Sequence, residues 1–395
     1  MKISIFGSYN KASLGDTAIL LGLISSLYRL FAGKLIINVL VLKKININLE
    51  LKEIGLNLSV NEVVIDKLKK ESNPLKILLL KIKRRFFDKN ILDRKQIRDS
   101  LLDSDYLLIG GGNLIMDLYP QWISILNTVC GEALALNKKY FFIGVGAAPI
   151  ATIKGKKSLF YCLSNANAVY FRDSMSKLYC EKEIDFYNSN IIPDLALGLM
   201  IKAETEILKD KIFIFNIASV FGNDWPYKDN DKFNNYISGM VNLTILIKKI
   251  KKIDELVIFN SNYPTDTQGS ELFFKMIKKE IKDIPIRYME SSSSVYELIK
   301  LSQSAEYAIT TRLHAGIIAF YGGANLIAIS YQPKVNDVLK EYNITHKILH
   351  IEEVLDRSLT RQNNRVKSLF EDDNVLFDKE LVHKKIDKVL LDILI

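Results

Sequence analysis

Short runs rich in Ile, Val, Phe and Tyr recur at 2–6, 35–42, 105–109, 140–145 and 168–171, and again at 211–217, 255–260, 285–289, 306–310 and 326–331. Their apolar residues are consecutive rather than alternate, the pattern of strands covered on both faces, as in parallel sheets. Between them, amphipathic stretches at 16–31, 115–137, 154–165, 174–182, 231–252, 268–282, 294–303, 313–321 and 334–341 predict helices. Strand and helix alternating in this way predict doubly wound α/β sheets. The alternation pauses at 193–211, where Pro193-Asp194 leads into the polar Lys202-Ala203-Glu204-Thr205-Glu206. The expected layout is a Rossmann-like domain over 1–200 and a second over 201–370, facing each other across a cleft. An amphipathic helix over 371–395 completes it.

Composition narrows the class. With 395 residues, 48% of them hydrophobic and 25% charged, the chain can bury two ordinary cores, and disorder of the whole chain is excluded. Cys130, Cys162 and Cys180 form no CxxC pair, so a disulfide framework or zinc ribbon is not expected. The N-terminus lacks a signal-peptide layout and no uninterrupted apolar run reaches spanning length, so a cytoplasmic protein is expected. The net charge of +9 favours anionic partners without choosing among them. Residues 75–87 are basic and apolar together. Two readings fit them: a helix lying on an anionic membrane at the inner face of the cell, or a surface helix with its apolar side packed and its lysines solvated.

Four loops at strand ends carry candidate chemistry. Gly7-Ser8-Tyr9-Asn10-Lys11-Ala12-Ser13-Leu14-Gly15-Asp16 joins the first strand to the first helix, and Gly15 and Asp16 can face a ligand there. It matches neither the dinucleotide fingerprint nor a P-loop, and Asp16 equally suits a helix cap. Gly110-Gly111-Gly112-Asn113 follows the next buried strand, and Gly144-Val145-Gly146 the one after, so Gly111, Gly112, Asn113 and Gly146 are expected to line one cleft. Arg172 ends another strand; burial there demands an anion or carboxylate, and Asp173 and Asp194 are structural candidates. The fourth loop, Thr311-Arg312-Leu313-His314, delivers a planar cation and a near-neutral titrating ring to a helix N-terminus. Lys334 opens a further helix and suits either an anion contact or a solvated surface. No carboxylate–histidine cluster suggests a metal.

Taken in order, Gly7, Leu14-Gly15-Asp16-Thr17-Ala18-Ile19-Leu20, Gly110-Gly111-Gly112, Gly144-Val145-Gly146, Arg172-Asp173-Ser174, Pro193-Asp194, Thr311-Arg312-Leu313-His314-Ala315 and Tyr331-x-x-Lys334 resemble the polysaccharide pyruvyl transferase family, from about residue 1 to 340. The first loop is longer than the family's compact Gly-Asn-x-Gly-Asp form, and Leu195 stands where a Pro or aromatic residue often follows the Asp. The resemblance implies a glycosyltransferase-B-like fold and transfer of a pyruvyl group from phosphoenolpyruvate to a sugar of a surface polysaccharide precursor. A cyclic ketal forms, and no cofactor or metal is implied beyond the donor substrate. It also implies that Arg172, Arg312, Leu313, His314 and Lys334 bind the donor, with Arg312 and His314 catalytic. Gly15, Asp16, Gly111, Gly112, Asn113 and Gly146 are expected to contact the acceptor or line the cleft, and the implied acceptor is a saccharide, lipid-linked or soluble.

Two other functions fit the same chain. A sugar-nucleotide glycosyltransferase would share the fold and a basic donor site. A non-catalytic binder of acidic polymer would use the positive charge alone. Nucleic acid is not expected, because the aromatic residues lie mostly in strands and offer no stacking platform.

Overall fold

The computed structural model describes residues 1–9, 11–65, 92–201, 210–225, 227–289, 294–342, 347–356, 363–371 and 378–395. The basic apolar stretch at 75–87 lies outside them. Two sheets organise the chain. The first contains β1 (Lys2–Phe6), β2 (Ile36–Val41), β3 (Val60–Val64), β4 (Tyr106–Gly110), β5 (Asn113–Ile115), β6 (Lys139–Ala147), β7 (Ala168–Phe171) and β8 (Asn190–Ile191). Its order is β3-β2-β1-β4-β6-β7-β8, with β5 paired to β6 and every pair parallel. The second contains β9 (Ile212–Asn216), β10 (Glu255–Phe259), β11 (Ile286–Met289), β12 (Ala305–Thr310), β13 (Asn325–Ser330) and β14 (Ile348–His350), in the order β11-β10-β9-β12-β13-β14, again all parallel. Both are doubly wound and reverse direction beside their first strand, at β1/β4 and at β9/β12. Such switch points leave a crevice at the strands' carboxyl ends.

Central strands are apolar on consecutive positions because helices cover both faces. Ile3 and Ile5 point into one cluster and Phe6 into another, all fully buried. The Leu14–Phe31 helix is apolar for the same reason. By length and composition it is apolar enough to cross a bilayer, although its sequence contains no uninterrupted apolar run of spanning length. Here most of it is buried between neighbours from both halves. Gly22 lies against the Leu195 carbonyl, where any side chain would collide. The Leu313–Gly322 helix of the second half packs on the same core cluster.

The closing Lys379–Leu394 helix does not stand apart as a tail. Its Val382, Ile386, Leu390 and Leu394 are buried in the cluster that holds the Leu14–Phe31 helix. Asp387 takes a two-pronged contact from Arg29, at 3.0 and 2.7 Å. The last helix thus returns to the first domain and ties the two ends of the chain together. Residues 47–53 and 94–102 form helices that the apolar pattern did not suggest.

Candidate active site

The two switch points face each other. The loop after β1 meets the loop after β10 directly: Leu14 N donates to Ser261 O at 2.9 Å, and Tyr263 N to Ala12 O at 2.9 Å. Beside this seam lies a cavity of about 170 Å³. Its walls come from the first half through Ser13, Gly15, Asp16, Gly112, Asn113 and Arg172, and from the second through Ser261, Asn262, Arg312, Leu313, His314 and Tyr331.

Arg312 sits at the N-terminus of the Leu313–Gly322 helix. Its backbone N–H donates to Asn216 Oδ1 (3.1 Å), which fixes the turn out of β12. Its guanidinium is held by Asp266, with Nε at 2.8 Å from Oδ2 and Nη2 at 2.6 Å from Oδ1. Asp266 is fully buried and also accepts from Ser219 N at 3.1 Å. A bidentate pair of this kind fixes the plane of the guanidinium. Nη1 is left on the side of Tyr331, whose hydroxyl is 3.5 Å away. The helix that follows begins at Leu313, His314 and Ala315, which line the cavity, and its N-terminus favours negative charge.

Arg172, by contrast, lies almost wholly out of solvent, 3% exposed. Nη2 donates to Asn113 Oδ1 at 2.8 Å, and Nη1 stands 3.4 Å from Asp194 Oδ2 and 3.2 Å from His314 Nε2. Nε is 3.5 Å from Asp173 Oδ2 but makes no hydrogen bond. The sequence left Arg172 open between an anion and its acidic neighbours; its guanidinium meets Asp194 and Asp173 and braces His314.

His314 bridges the two halves. Nε2 lies 3.3 Å from Asp194 Oδ2, so a protonated Nε2 donates to that carboxylate. Asp194 is fully buried, which alone would raise its pKa. The charge of His314 and its hydrogen bond, with Arg172 and the Ala196 amide, outweigh burial and hold it at about 2. Its own backbone N–H donates to the Tyr342 hydroxyl (3.1 Å). The ring can stand where it does because residue 15 is glycine. A Cβ there would come within 2.7 Å of His314 Cβ, Cγ and Nδ1. Gly146 makes the same kind of room, since a Cβ would reach 2.5 Å from Asn113 Oδ1 and 3.0 Å from Arg172.

Asp16 faces this group from the first turn of the Leu14–Phe31 helix, where Asp16 N donates to the Ser13 hydroxyl at 3.3 Å. Burial pushes its carboxyl up to about 6, against the pull of His314, Ser13 and Arg172. Gly111 and Gly112 adopt left-handed backbone (φ +88° and +64°), a turn that L side chains resist, and a Cβ at Gly112 would lie 3.3 Å from Asp16 Oδ1. Of the residues expected from sequence, Gly15, Asp16, Gly112, Asn113, Arg172, Arg312, Leu313 and His314 line the cavity. Gly111 and Gly146 shape the wall behind it. Lys334 opens the Pro333–Lys340 helix, after Tyr331, which lines the cavity. Asp266, Asn216 and Tyr342 were not anticipated. Asn216 closes β9, Asp266 precedes the Thr267–Glu280 helix and Tyr342 follows the Pro333–Lys340 helix, with no motif to set them apart.

A larger cavity, about 360 Å³, lies on the other side of Arg172, between Pro193, Phe320, Tyr342 and the last helix. None of the carboxylate–guanidinium geometry around His314 faces it except Arg172 itself. Among the described residues, no group of three or more His, Cys, Asp and Glu is arranged to hold a metal ion. The three cysteines are buried and unpaired.

Over its whole length the chain superposes on UDP-GlcNAc 2-epimerase from Methanocaldococcus jannaschii with a TM-score of 0.60 at 12% identity, covering 100% of this chain and 99% of that one. The epimerase from Neisseria meningitidis, bound to UDP-GlcNAc, gives a TM-score of 0.55 at 10% identity, covering 100% and 99%. These likenesses establish the glycosyltransferase-B-type arrangement of two Rossmann-like units. A sequence relative, the amylovoran biosynthesis protein AmsJ of Erwinia amylovora, is 21% identical over 408 residues, spanning 94% of this chain and 93% of AmsJ. The profile of the polysaccharide pyruvyl transferases matches residues 14–333, from the first helix to the start of the helix after Tyr331. With that match across both halves of the cavity, the chain belongs to the polysaccharide pyruvyl transferase family.

Proposed function

We propose that the chain takes phosphoenolpyruvate as donor and transfers its pyruvyl group to two hydroxyls of one sugar, releasing phosphate and leaving a cyclic ketal on a polysaccharide precursor. The observation that carries this reading is the placement of Arg312 and His314 at a helix N-terminus facing a cavity of about 170 Å³. Pockets for drug-sized ligands run to roughly 300–1,000 Å³, so this space favours a compact anion over a nucleotide sugar. Nη1 of Arg312 and the helix N-terminus suit the donor's charged groups. Arg172 adds positive charge from beneath and keeps His314 in place. Leu313 supplies an apolar wall, and Lys334, opening the next helix, is assigned to the donor's phosphate. Gly15, Asp16, Gly111, Gly112, Asn113 and Gly146 form the acceptor side.

The overall change is balanced without a cofactor. Two sugar hydroxyls give up two protons. One ends on the donor's methylene carbon, which becomes a methyl group, and the other leaves with phosphate. His314 is the group placed to supply the proton to carbon. A cytoplasmic site fits a donor drawn from central metabolism, and a lipid-linked acceptor at the inner membrane face would give the basic stretch 75–87 a role.

The nucleotide-sugar reading is the competitor, since structural neighbours act on UDP-GlcNAc. Both are tested by incubating the protein with phosphoenolpyruvate or with nucleotide sugars, and a panel of lipid-linked galactosides, glucosides and mannosides. Phosphate release from phosphoenolpyruvate that depends on acceptor supports the proposal. Release of a nucleoside diphosphate, with phosphoenolpyruvate inert, overturns it.

A further inference from the structure

Among the described residues, Asp16 is the carboxylate on the cavity wall, and three others, locked in place, stand behind it on the lining arginines and histidine. Asp266 is tied to Arg312, Asp194 lies against Arg172 and His314, and Asp173 caps a helix through Ser176 N (2.6 Å) and the Ser176 hydroxyl (2.9 Å) while lying against Arg172. Asp16 differs. Among the described residues it makes no ion pair, and its carboxylate stands over the left-handed Gly111–Gly112 turn, on the wall of the cavity. It belongs to the first half, while His314 reaches the same space from the second. A carboxylate held by the Ser13 hydroxyl but by no cation, opposite a histidine, is what a two-proton reaction requires.

We propose that Asp16 is the base that accepts the proton of the attacking acceptor hydroxyl, while His314 is the acid that protonates the donor's methylene carbon. This rests on phosphoenolpyruvate being the donor. In the first step the hydroxyl oxygen bonds to the donor's central carbon as its O–H proton passes to Asp16. The electron pair of the C=C bond takes a proton from His314, giving a methyl group. In the second step the neighbouring hydroxyl bonds to the same carbon, the C–O bond to phosphate breaks, and that hydroxyl's proton leaves on the phosphate. Asp16 then holds one extra proton and His314 lacks one. Transfer between them resets the site, and the Gly15 backbone that lets the ring approach Asp16's own helix keeps the two close.

The groups facing Asp16 set its behaviour with pH. From its own loop these are Ser13 and Tyr9, whose buried hydroxyl is itself pushed up by burial and by Asp16. From the other elements they are His314 and Arg172, whose charges pull Asp16 down. Burial wins, leaving the carboxyl at about 6, a base far better matched to neutral pH than an ordinary aspartate. The charged form is therefore held at a cost to the fold.

The test compares wild type with Asp16→Asn and Asp16→Ala in the phosphate-release assay across pH 4.5–8.5. The expected result for Asp16→Asn is a kcat lower by roughly 10²-fold or more, with the KM for phosphoenolpyruvate within about twofold. The wild-type acidic limb near pH 6 should disappear. Formate, a small carboxylate, should restore part of the activity of Asp16→Ala and none to the wild type. Melting curves guard against misfolding, since Asp16→Asn should melt higher than wild type at pH 8 and not at pH 4.5. An Asp16→Asn enzyme with kcat within threefold of wild type overturns the role. So does a loss that appears wholly in the KM for phosphoenolpyruvate. A wild type that takes nothing from phosphoenolpyruvate overturns the donor reading as well, whereas a turning-over wild type beside an unimpaired Asp16→Asn removes Asp16 alone.

Discussion

The carboxyl edges of the two sheets meet at one cavity but are built in opposite ways. The edge of the first sheet lines the cavity largely with backbone and space, through Gly15, Gly111, Gly112 and Gly146, with Asp16 among them and the Arg172 cluster set behind. The edge of the second is a network of fixed polar groups, in which Asn216 holds the Arg312 backbone, Asp266 holds its guanidinium, and the Leu313–Gly322 helix begins at once. A bare, glycine-lined wall suits a ligand that varies in shape, such as a saccharide. A rigid cationic wall suits one small anion that never changes. On the proposed function, the glycine-lined wall meets the acceptor and the cationic wall the donor, with Asp16 and His314 facing each other between them.

His314 joins the two edges, and its removal should have the largest effect. His314→Ala is expected to lower kcat by roughly 10²–10⁴-fold with a melting temperature close to wild type; a folded variant with near-normal turnover would falsify its proton-transfer role. Next comes Asp266→Asn. Breaking a buried ion pair from one side costs about 3–5 kcal/mol, and here it also frees Arg312. Denaturant unfolding should show that loss, and the donor KM should rise; an unchanged midpoint and KM together would mean the pair is idle.

Gly15→Ala probes the open edge. The added methyl must push on the His314 ring, and displacement of a reacting group by about 1 Å costs about 10²-fold. Activity near wild type, with a crystal structure showing the ring unmoved, would contradict that reading. The smallest effect concerns Asp194. Its folded pKa is about 2 against an ordinary 3.8, so its ionised form adds stability that is present above about pH 4 and lost as pH falls through about 2. The shift corresponds to about 2 kcal/mol. The stability gap between wild type and Asp194→Asn should thus shrink between pH 5 and pH 2, and a gap that stays constant would show that the carboxylate is not held by its neighbours.

Much of the architecture was legible in the pattern of apolar runs. Strands buried on both faces declare themselves without periodicity, and ten of them mark two parallel sheets. Short or edge elements did not. Val60–Val64, with burial falling off along the strand, and the two-residue β8 carry too few buried positions to stand out. The closing helix was readable as amphipathic, but its return to the first domain was not, because an apolar face does not name its partner. At the site, glycines and Arg312-Leu313-His314 were visible because their residue types are unusual at strand ends. Asp266 was invisible for the opposite reason: an aspartate in a polar loop is ordinary, and only the fold brings it under Arg312, 46 positions away. Arg172 was legible as a buried cation, and the sequence named its two acidic neighbours, but not that His314 would complete the cluster.

A carbon label follows the transfer itself. Phosphoenolpyruvate labelled in its three carbons is incubated with acceptor glycan and either wild type or His314→Ala. Wild type should move all three labelled carbons onto the glycan as a ketal, one for each phosphate released, and the variant should move almost none. Label that stays with the donor while wild type is folded would rule out pyruvyl transfer, and equal transfer by wild type and variant would rule out His314 as its proton donor.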